Sequence, residues 1–283
     1  MPPWTDLDAG IRVRQSRAYA MNSTLLLDPE HAVLVDPGVL PSELDDLAGA
    51  LLDAAPRGVT LVFTHPHWDH VLGRPWWPQV PLVAHRGLGD VLTRERATIL
   101  AEAVKCALEH GEEWVPGFEP CTPQLAVSGE CRLTLPPWSL VLRDAPGHCD
   151  SQITLHLPAQ RLLCAGDMLS DLEIPWLDRE PAAYLRTLHA LLPLVEEGKI
   201  ETLIPGHGAI ARGAEAVLGR LRRDLAYLDA LESGVHGART AGLTFEETQT
   251  RLAAVEHPAR DAPGMADVHR ENVRIAWERA GRG

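Results

Sequence analysis

Seven side chains of this 283-residue chain have the chemistry to hold metal ions or move protons, and their spacing is informative. Four lie in the run Thr64-His65-Pro66-His67-Trp68-Asp69-His70, directly after the apolar stretch Leu61-Val62-Phe63. In an extended backbone, residues two apart point to the same side, so His65 and His67 can converge on one ion. Pro66 biases His65 towards that extended geometry. Asp69 and His70 follow where the chain turns and can aim at a second position nearby. Imidazole and carboxylate donors without sulfur suit zinc and also admit iron or manganese. The bland alternative is a polar strand end exposing histidines by chance, and so dense a run weighs against it.

Three further pieces share one plan. His148 stands in Pro146-Gly147-His148, Asp167 in Ala165-Gly166-Asp167, and His207 in Pro205-Gly206-His207-Gly208. Each follows an apolar segment and has a glycine beside it, which permits the tight backbone that brings such loops together. A lone histidine in any of these places is more often structural. The repeated order of apolar segment, loop and polar residue points instead to one shared site. No G-x-S-x-G is present, so a serine nucleophile is not supported.

The elements that must carry these residues are legible as periodicity. Apolar runs at 22–27, 32–35, 60–64, 81–84, 139–143, 153–157, 161–165 and 202–204 predict strands. Helices are predicted at 42–54, opening on Ser42 as a cap, at 88–110, and at 181–197, opening on Pro181. Strands interleaved with helices imply an α/β class of mixed layers. After Gly208 the character changes to three helical patterns, at 214–231, 244–254 and 267–280, without strands between them. The expected organisation is a catalytic domain over residues 1–212 and a helical C-terminal extension over 213–283. His207 sits only a few residues before the first of these helices, so the extension is expected beside the catalytic edge. Its first helix should bury Val217, Leu218, Leu221, Leu225, Leu228 and Leu231 and turn Arg220, Arg223 and Asp224 outward.

Composition narrows the partners. Hydrophobic residues make up 45% and charged residues 23%, as in ordinary folded proteins. The net charge of −13 opposes a nucleic-acid backbone, so no nucleic-acid partner is expected. No apolar run is long enough for a bilayer, and the start Met1-Pro2-Pro3-Trp4-Thr5-Asp6 has no signal-peptide pattern. Five cysteines without a C-x-x-C pair read as reduced thiols of a cytoplasmic protein. A small-molecule substrate is expected, and a homodimer is admitted.

With these motifs in this order, the chain resembles the metallo-β-lactamase superfamily over about residues 20–210. His65, His67, Asp69 and His70 meet its H-x-H-x-D-H motif, and His148, Asp167 and His207 meet its later motifs. The resemblance implies an αββα sandwich with two zinc ions at one edge, iron or manganese being the alternatives. It assigns His65, His67 and His148 to the first ion, Asp69, His70 and His207 to the second, and Asp167 to both. It implies a dinuclear metal-dependent hydrolase in which a metal-bridged hydroxide, oriented by Asp69, attacks a small ester, thioester or lactone. Asp167 argues against a true β-lactamase, which generally lacks the bridging carboxylate. An iron-dependent persulfide dioxygenase is the alternative in another enzyme class, and a nuclease or phosphodiesterase of the same superfamily ranks lower. His67-Trp68-Asp69-His70 looks like glyoxalase II-type thioesterases, but Cys149-Asp150-Ser151-Gln152 stands where that branch has Thr-x-Gly-His.

Other residues carry open or plainer readings. Val35-Asp36-Pro37-Gly38 matches the family's D-x-G turn. Asp36 there either orients the ligands or simply ends a strand. Trp68 reads as a floor under the loop as readily as a family signature. Cys149 reads as a packed thiol, His31, His85, His110 and His189 as surface or satisfied core, and Trp76-Trp77 as packing. Arg220, Arg222 and Arg223 read as a solvated helix face.

Overall fold

Short β-branched and leucine-rich runs form the strands here, and amphipathic stretches cross between them. The computed structural model describes residues 4–8 and 10–281. The Met1-Pro2-Pro3 start and the last two residues of the expected extension lie outside the described residues. In chain order the strands are β1 (Trp4–Asp8), β2 (Ile11–Gln15), β3 (Asn22–Leu26), β4 (His31–Val35), β5 (Gly58–Val62), β6 (Leu82–His85) and β7 (Leu125–Val127). They continue with β8 (Glu130–Leu135), β9 (Trp138–Asp144), β10 (Ile153–Leu157), β11 (Leu162–Cys164), β12 (Thr202–Ile204) and β13 (Ala211–Arg212). The helices are α1 (Pro41–Ala54), α2 (Trp68–Val71), α3 (Leu88–Glu109), α4 (Pro181–Glu196), α5 (Ala214–Thr240), α6 (Phe245–Leu252) and α7 (Met265–Ala280). Two compact units result. One holds Met1–Asp144 with Ile153–Gln160, the other Ala145–Gln152 with Arg161–Gly283.

In the first unit, strands β1 to β7 form a seven-stranded sheet in sequence order. The first four pair antiparallel, and β4, β5, β6 and β7 run parallel. Parallel neighbours require a crossover, and α1 supplies the one between β4 and β5. The register sets Val35 opposite Val62, so both strands end at the same level. That register places Asp36 beside the start of the histidine run. Strands β8, β9 and β10 pair antiparallel within the same unit. The core joins Leu25, Leu34, Leu61 and Phe63 to Leu44 and Leu47 of α1 and to Leu92 of α3.

In the second unit, β11 and β12 are parallel and β13 pairs antiparallel with β12. A separate core gathers Leu163 and Leu203 with Leu188 of α4 and with Val217, Leu221 and Leu228 of α5. Helix α5 runs well past its expected end because Val235 and Ala238 continue its buried stripe. Gly234 lies within that extra length, where a Cβ would come 2.3 Å from Leu252 Cδ2, so glycine allows α6 to pack closely.

Three expectations need correcting. Helix α1 takes Leu40 as its N-cap and Pro41 as its first residue, while the Ser42 hydroxyl bonds Glu112 at 2.7 Å. Asp224 does not face outward. It is buried and meets His257 Nε2 at 3.0 Å. Arg220 and Arg223 are not a solvated face, since they donate to the carbonyls of Leu169 (3.1 Å) and Ser170 (2.6 Å), while Arg222 stays exposed. No helix among the described residues is long and apolar enough to cross a membrane.

Candidate metal centre

The first unit gathers four of the seven predicted residues. Beyond β5 the chain leaves the sheet through Thr64, and His67 becomes the N-cap of the short helix α2. The His65 ring lies 4.6 Å from that of His67 and 4.1 Å from that of His70. The donor atoms of His65 and His67 lie within 4.8 Å of one another, as do those of Asp69 and His70. His65 and His70 are fully buried and Asp69 nearly so, so most of the cluster is shielded from water.

Asp36 organises this cluster. Its backbone nitrogen donates to Val62 O at 2.9 Å, which holds it at the sheet edge, and its φ of 46° turns the chain there. Oδ1 accepts the Thr64 amide at 2.7 Å, and Oδ2 accepts the Thr64 hydroxyl at 2.5 Å and His70 Nδ1 at 3.0 Å. A carboxylate only accepts, so His70 carries its proton on Nδ1 and offers the Nε2 lone pair. The Thr64 hydroxyl has spent its proton on Asp36, so at 3.0 Å it accepts from His65 Nδ1. One carboxylate thus sets two ring tautomers, the arrangement that ligand histidines use. Of the two readings of Asp36, this geometry supports the orienting one. Gly38 completes the turn, since a Cβ there would lie 2.3 Å from Asp69 O.

The second unit gathers the other three. Asp167 Oδ2 lies 3.5 Å from His148 Nε2 and 3.5 Å from His207 Nε2. Gln152 ties two of these loops together. Its Oε1 accepts the Asp167 amide at 3.2 Å and its Nε2 donates to Ala145 O at 3.3 Å. The Tyr184 hydroxyl donates to Asp167 O at 3.3 Å, and Ser170 Oγ donates to His207 O at 2.9 Å. The two glycine loops are joined directly, Gly206 N to Gly166 O at 2.7 Å.

Sequence reasoning missed Thr64, Gln152, Ser170 and Tyr184 as supports. Thr64 and Gln152 stand next to or near a predicted ligand, and that was their only signal. Gly147 has a φ of 150°, and a Cβ there would come within 2.5 Å of the Tyr184 ring and 2.7 Å of its Cα. Gly147→Ala is therefore expected to displace the His148 loop or helix α4. The measurable outcome is a melting temperature lowered by several degrees, from a cost of about 1–3 kcal/mol for overpacking. A variant as stable as the parent would show that the loop yields freely.

The remaining candidates have plainer roles. His31 Nε2 bonds Thr60 Oγ1 at 2.9 Å, His110 Nδ1 bonds Cys106 O at 2.9 Å, His85 lies 3.7 Å from Asp144, and His189 is exposed. Trp76 donates to Asp45 at 2.7 Å and packs on Trp114, while Trp68 packs edge-on against Tyr19. Cys149 is buried, and burial pushes its thiol far above the ordinary range, which suits a packed side chain.

Both clusters offer imidazole nitrogens and carboxylate oxygens without a thiolate, a donor set that fits zinc, iron or manganese. The family description "Metallo-beta-lactamase superfamily" matches residues 17–207. The human acyl-coenzyme A thioesterase MBLAC2 is 27% identical over 209 residues, covering 71% of this chain and 67% of the relative. Among solved structures, the stereoselective inverting sec-alkylsulfatase of Pseudomonas sp. matches with a TM-score of 0.76 and 16% identity. The match covers 99% of this chain, which spans about half (50%) of the sulfatase. A metallo-β-lactamase family protein of Thermus thermophilus matches with a TM-score of 0.67 and 20% identity, over 98% of this chain and 95% of that one. These likenesses show the α/β fold of two sheets with flanking helices, C-terminal helices included. The chain belongs to the metallo-β-lactamase superfamily, and it is one of that superfamily's hydrolases.

Proposed function

We propose that this hydrolase cleaves a thioester, the wider class being small esters and lactones, at a centre of two zinc ions. The observation that carries the reading is the single Asp167 oxygen lying 3.5 Å from both His148 Nε2 and His207 Nε2, as a carboxylate shared between two ions would. In this reading His65, His67 and His148 hold one ion, Asp69, His70 and His207 the other, and Asp167 both. When bound, such a pair supplies a hydroxide nucleophile near neutral pH and polarises the acyl oxygen.

The chain's own residues do the rest. Thr64 and Asp36 hold the rings of His65 and His70 with Nε2 forward. Asp69 would orient the nucleophile. A thiol leaving group has a pKa of about 8.5, so it departs as a thiolate without a strong acid beside it. Thioesterase-named relatives support that choice within the ester class. In the same reading residues 1–212 do the chemistry and 213–283 shape access to it.

Elemental analysis of protein purified without added metal is expected to give about two zinc ions per chain. Exhaustive chelation should abolish thiol release from an acyl-coenzyme A panel, and zinc should restore it. Metal content near zero, with no uptake on reconstitution, would refute the reading.

A further inference from the structure

Between Asp167 and helix α4 the chain runs without helix or strand through residues 168–180. Irregular stretches of that length inside compact units usually serve function. This one is tied down along its length. Asp171 Oδ1 accepts the Ala209 amide at 2.7 Å, and Arg220 and Arg223 grip the carbonyls of Leu169 and Ser170. Asn272 of α7 brackets its middle, donating to Pro175 O at 2.6 Å and accepting from Leu177 N at 3.0 Å. Asn272 is itself fully buried and bonded to the Tyr227 hydroxyl at 3.0 Å, and that hydroxyl meets His269 Nδ1 at 2.9 Å. Asp178 N reaches Gly147 O at 3.3 Å, which joins the segment to the loop of His148.

The segment buries Met168, Leu169, Ile174 and Leu177 and turns Leu172 and Trp176 outward, 43% and 48% exposed. The Trp176 ring stands edge-on to the ring of His148, with centroids 6.5 Å apart. Half-exposing an indole forgoes burial that the same side chain would gain in a core. Here the backbone on both sides of Trp176 is clamped by one buried amide, so the indole is held ready, and binding loses little in ordering it.

We propose that Trp176 is the platform for the apolar acyl chain of the substrate, and that Asn272 is the residue that positions it. The proposal rests on the thioesterase reading for the identity of the acyl group. It makes the substrate class medium- to long-chain acyl thioesters in preference to acetyl ones. It also gives α7 a definite task, fixing a side chain beside His148.

The test compares acetyl- and decanoyl-coenzyme A hydrolysis in the zinc-loaded protein, together with calorimetric binding of the uncleavable thioethers S-methyl- and S-decyl-coenzyme A. Trp176→Ala is expected to raise KM for the decanoyl substrate about tenfold, with kcat and the acetyl KM changed less than about twofold. It should weaken S-decyl binding by the same factor and leave S-methyl binding unchanged. Trp176→Phe should recover most of the loss. Asn272→Ala should show the same chain-length-selective loss with Trp176 intact, which a merely structural role would not produce. Equal losses for both chain lengths, or S-decyl binding unchanged in Trp176→Ala, would overturn the inference. Thioether binding that depends on Trp176 without hydrolysis of either thioester would retain the platform and sink the thioesterase reading instead. No S-decyl binding by the parent protein would sink the platform itself.

Discussion

Asp167→Ala is expected to keep the fold and lose the chemistry. Two of its structural bonds run through its backbone: its amide donates to Gln152 and its carbonyl accepts from Tyr184. Alanine retains both. The side chain has its Oδ2 3.5 Å from the Nε2 atoms of His148 and His207 and belongs to neither apolar core. Far-UV circular dichroism and melting temperature should therefore stay close to the parent's. Zinc content should fall below two per chain, because the proposed shared ligand is gone. Hydrolysis should fall roughly a thousandfold, equivalent to about 4 kcal/mol of lost transition-state stabilisation. Asp167→Asn keeps the shape and one acceptor oxygen but removes the charge, and should fall between the two. Global unfolding of Asp167→Ala would make the residue structural. Full metal content with full activity would remove it from the centre.

The strands that lead to the candidates were legible because each is a buried apolar run ended by Gly, Pro or a polar residue. β5 before Thr64 and β12 before Pro205 are examples. The short helix α2 that holds Asp69 and His70 reads in the sequence only as a turn. Strands β1, β2, β7, β8 and β13 were not predicted. In β8, Glu130-Cys131-Arg132-Leu133-Thr134-Leu135 alternates polar and apolar residues, the period of a half-buried strand, but it lacks the continuous apolar run that marks the predicted strands. The site's supports were hidden for another reason. The bonds that join Thr64 to Asp36, Gln152 to Asp167, Ser170 to His207 and Asn272 to Pro175 span between 15 and 97 positions in sequence. Periodicity carries no information about such pairings. Asp224 and Arg223 misled for the complementary reason. A charge on a helix reads as solvated until a distant partner such as His257 is known.

Asp36 offers the sharper test of how the candidate ligands are prepared, since it is not assigned to an ion. All three groups that face its carboxylate are donors: the Thr64 amide, the Thr64 hydroxyl and His70 Nδ1. In Asp36→Asn the amide nitrogen must face at least one of them. If it faces His70, that ring must shift its proton to Nε2, the atom proposed to bind the ion, and binding must first move it back. If it turns the Thr64 hydroxyl around, the hydroxyl no longer accepts from His65 Nδ1, and the second ring loses its preset tautomer. If it faces the Thr64 amide, two donors oppose each other in a buried place, at about 1–3 kcal/mol of stability. Each choice weakens the centre while leaving all seven proposed ligands in place. Zinc affinity measured by chelator competition is expected to fall about 10- to 100-fold. Activity should recover in large part at saturating zinc, which Asp167→Ala cannot do. Nitrogen-15 spectra of the metal-free protein should show His70 protonated on Nδ1 in the parent and shifted towards Nε2 protonation in the variant. An unchanged zinc affinity together with an unchanged His70 tautomer would reduce Asp36 to a plain strand-ending turn, the other reading its sequence allowed.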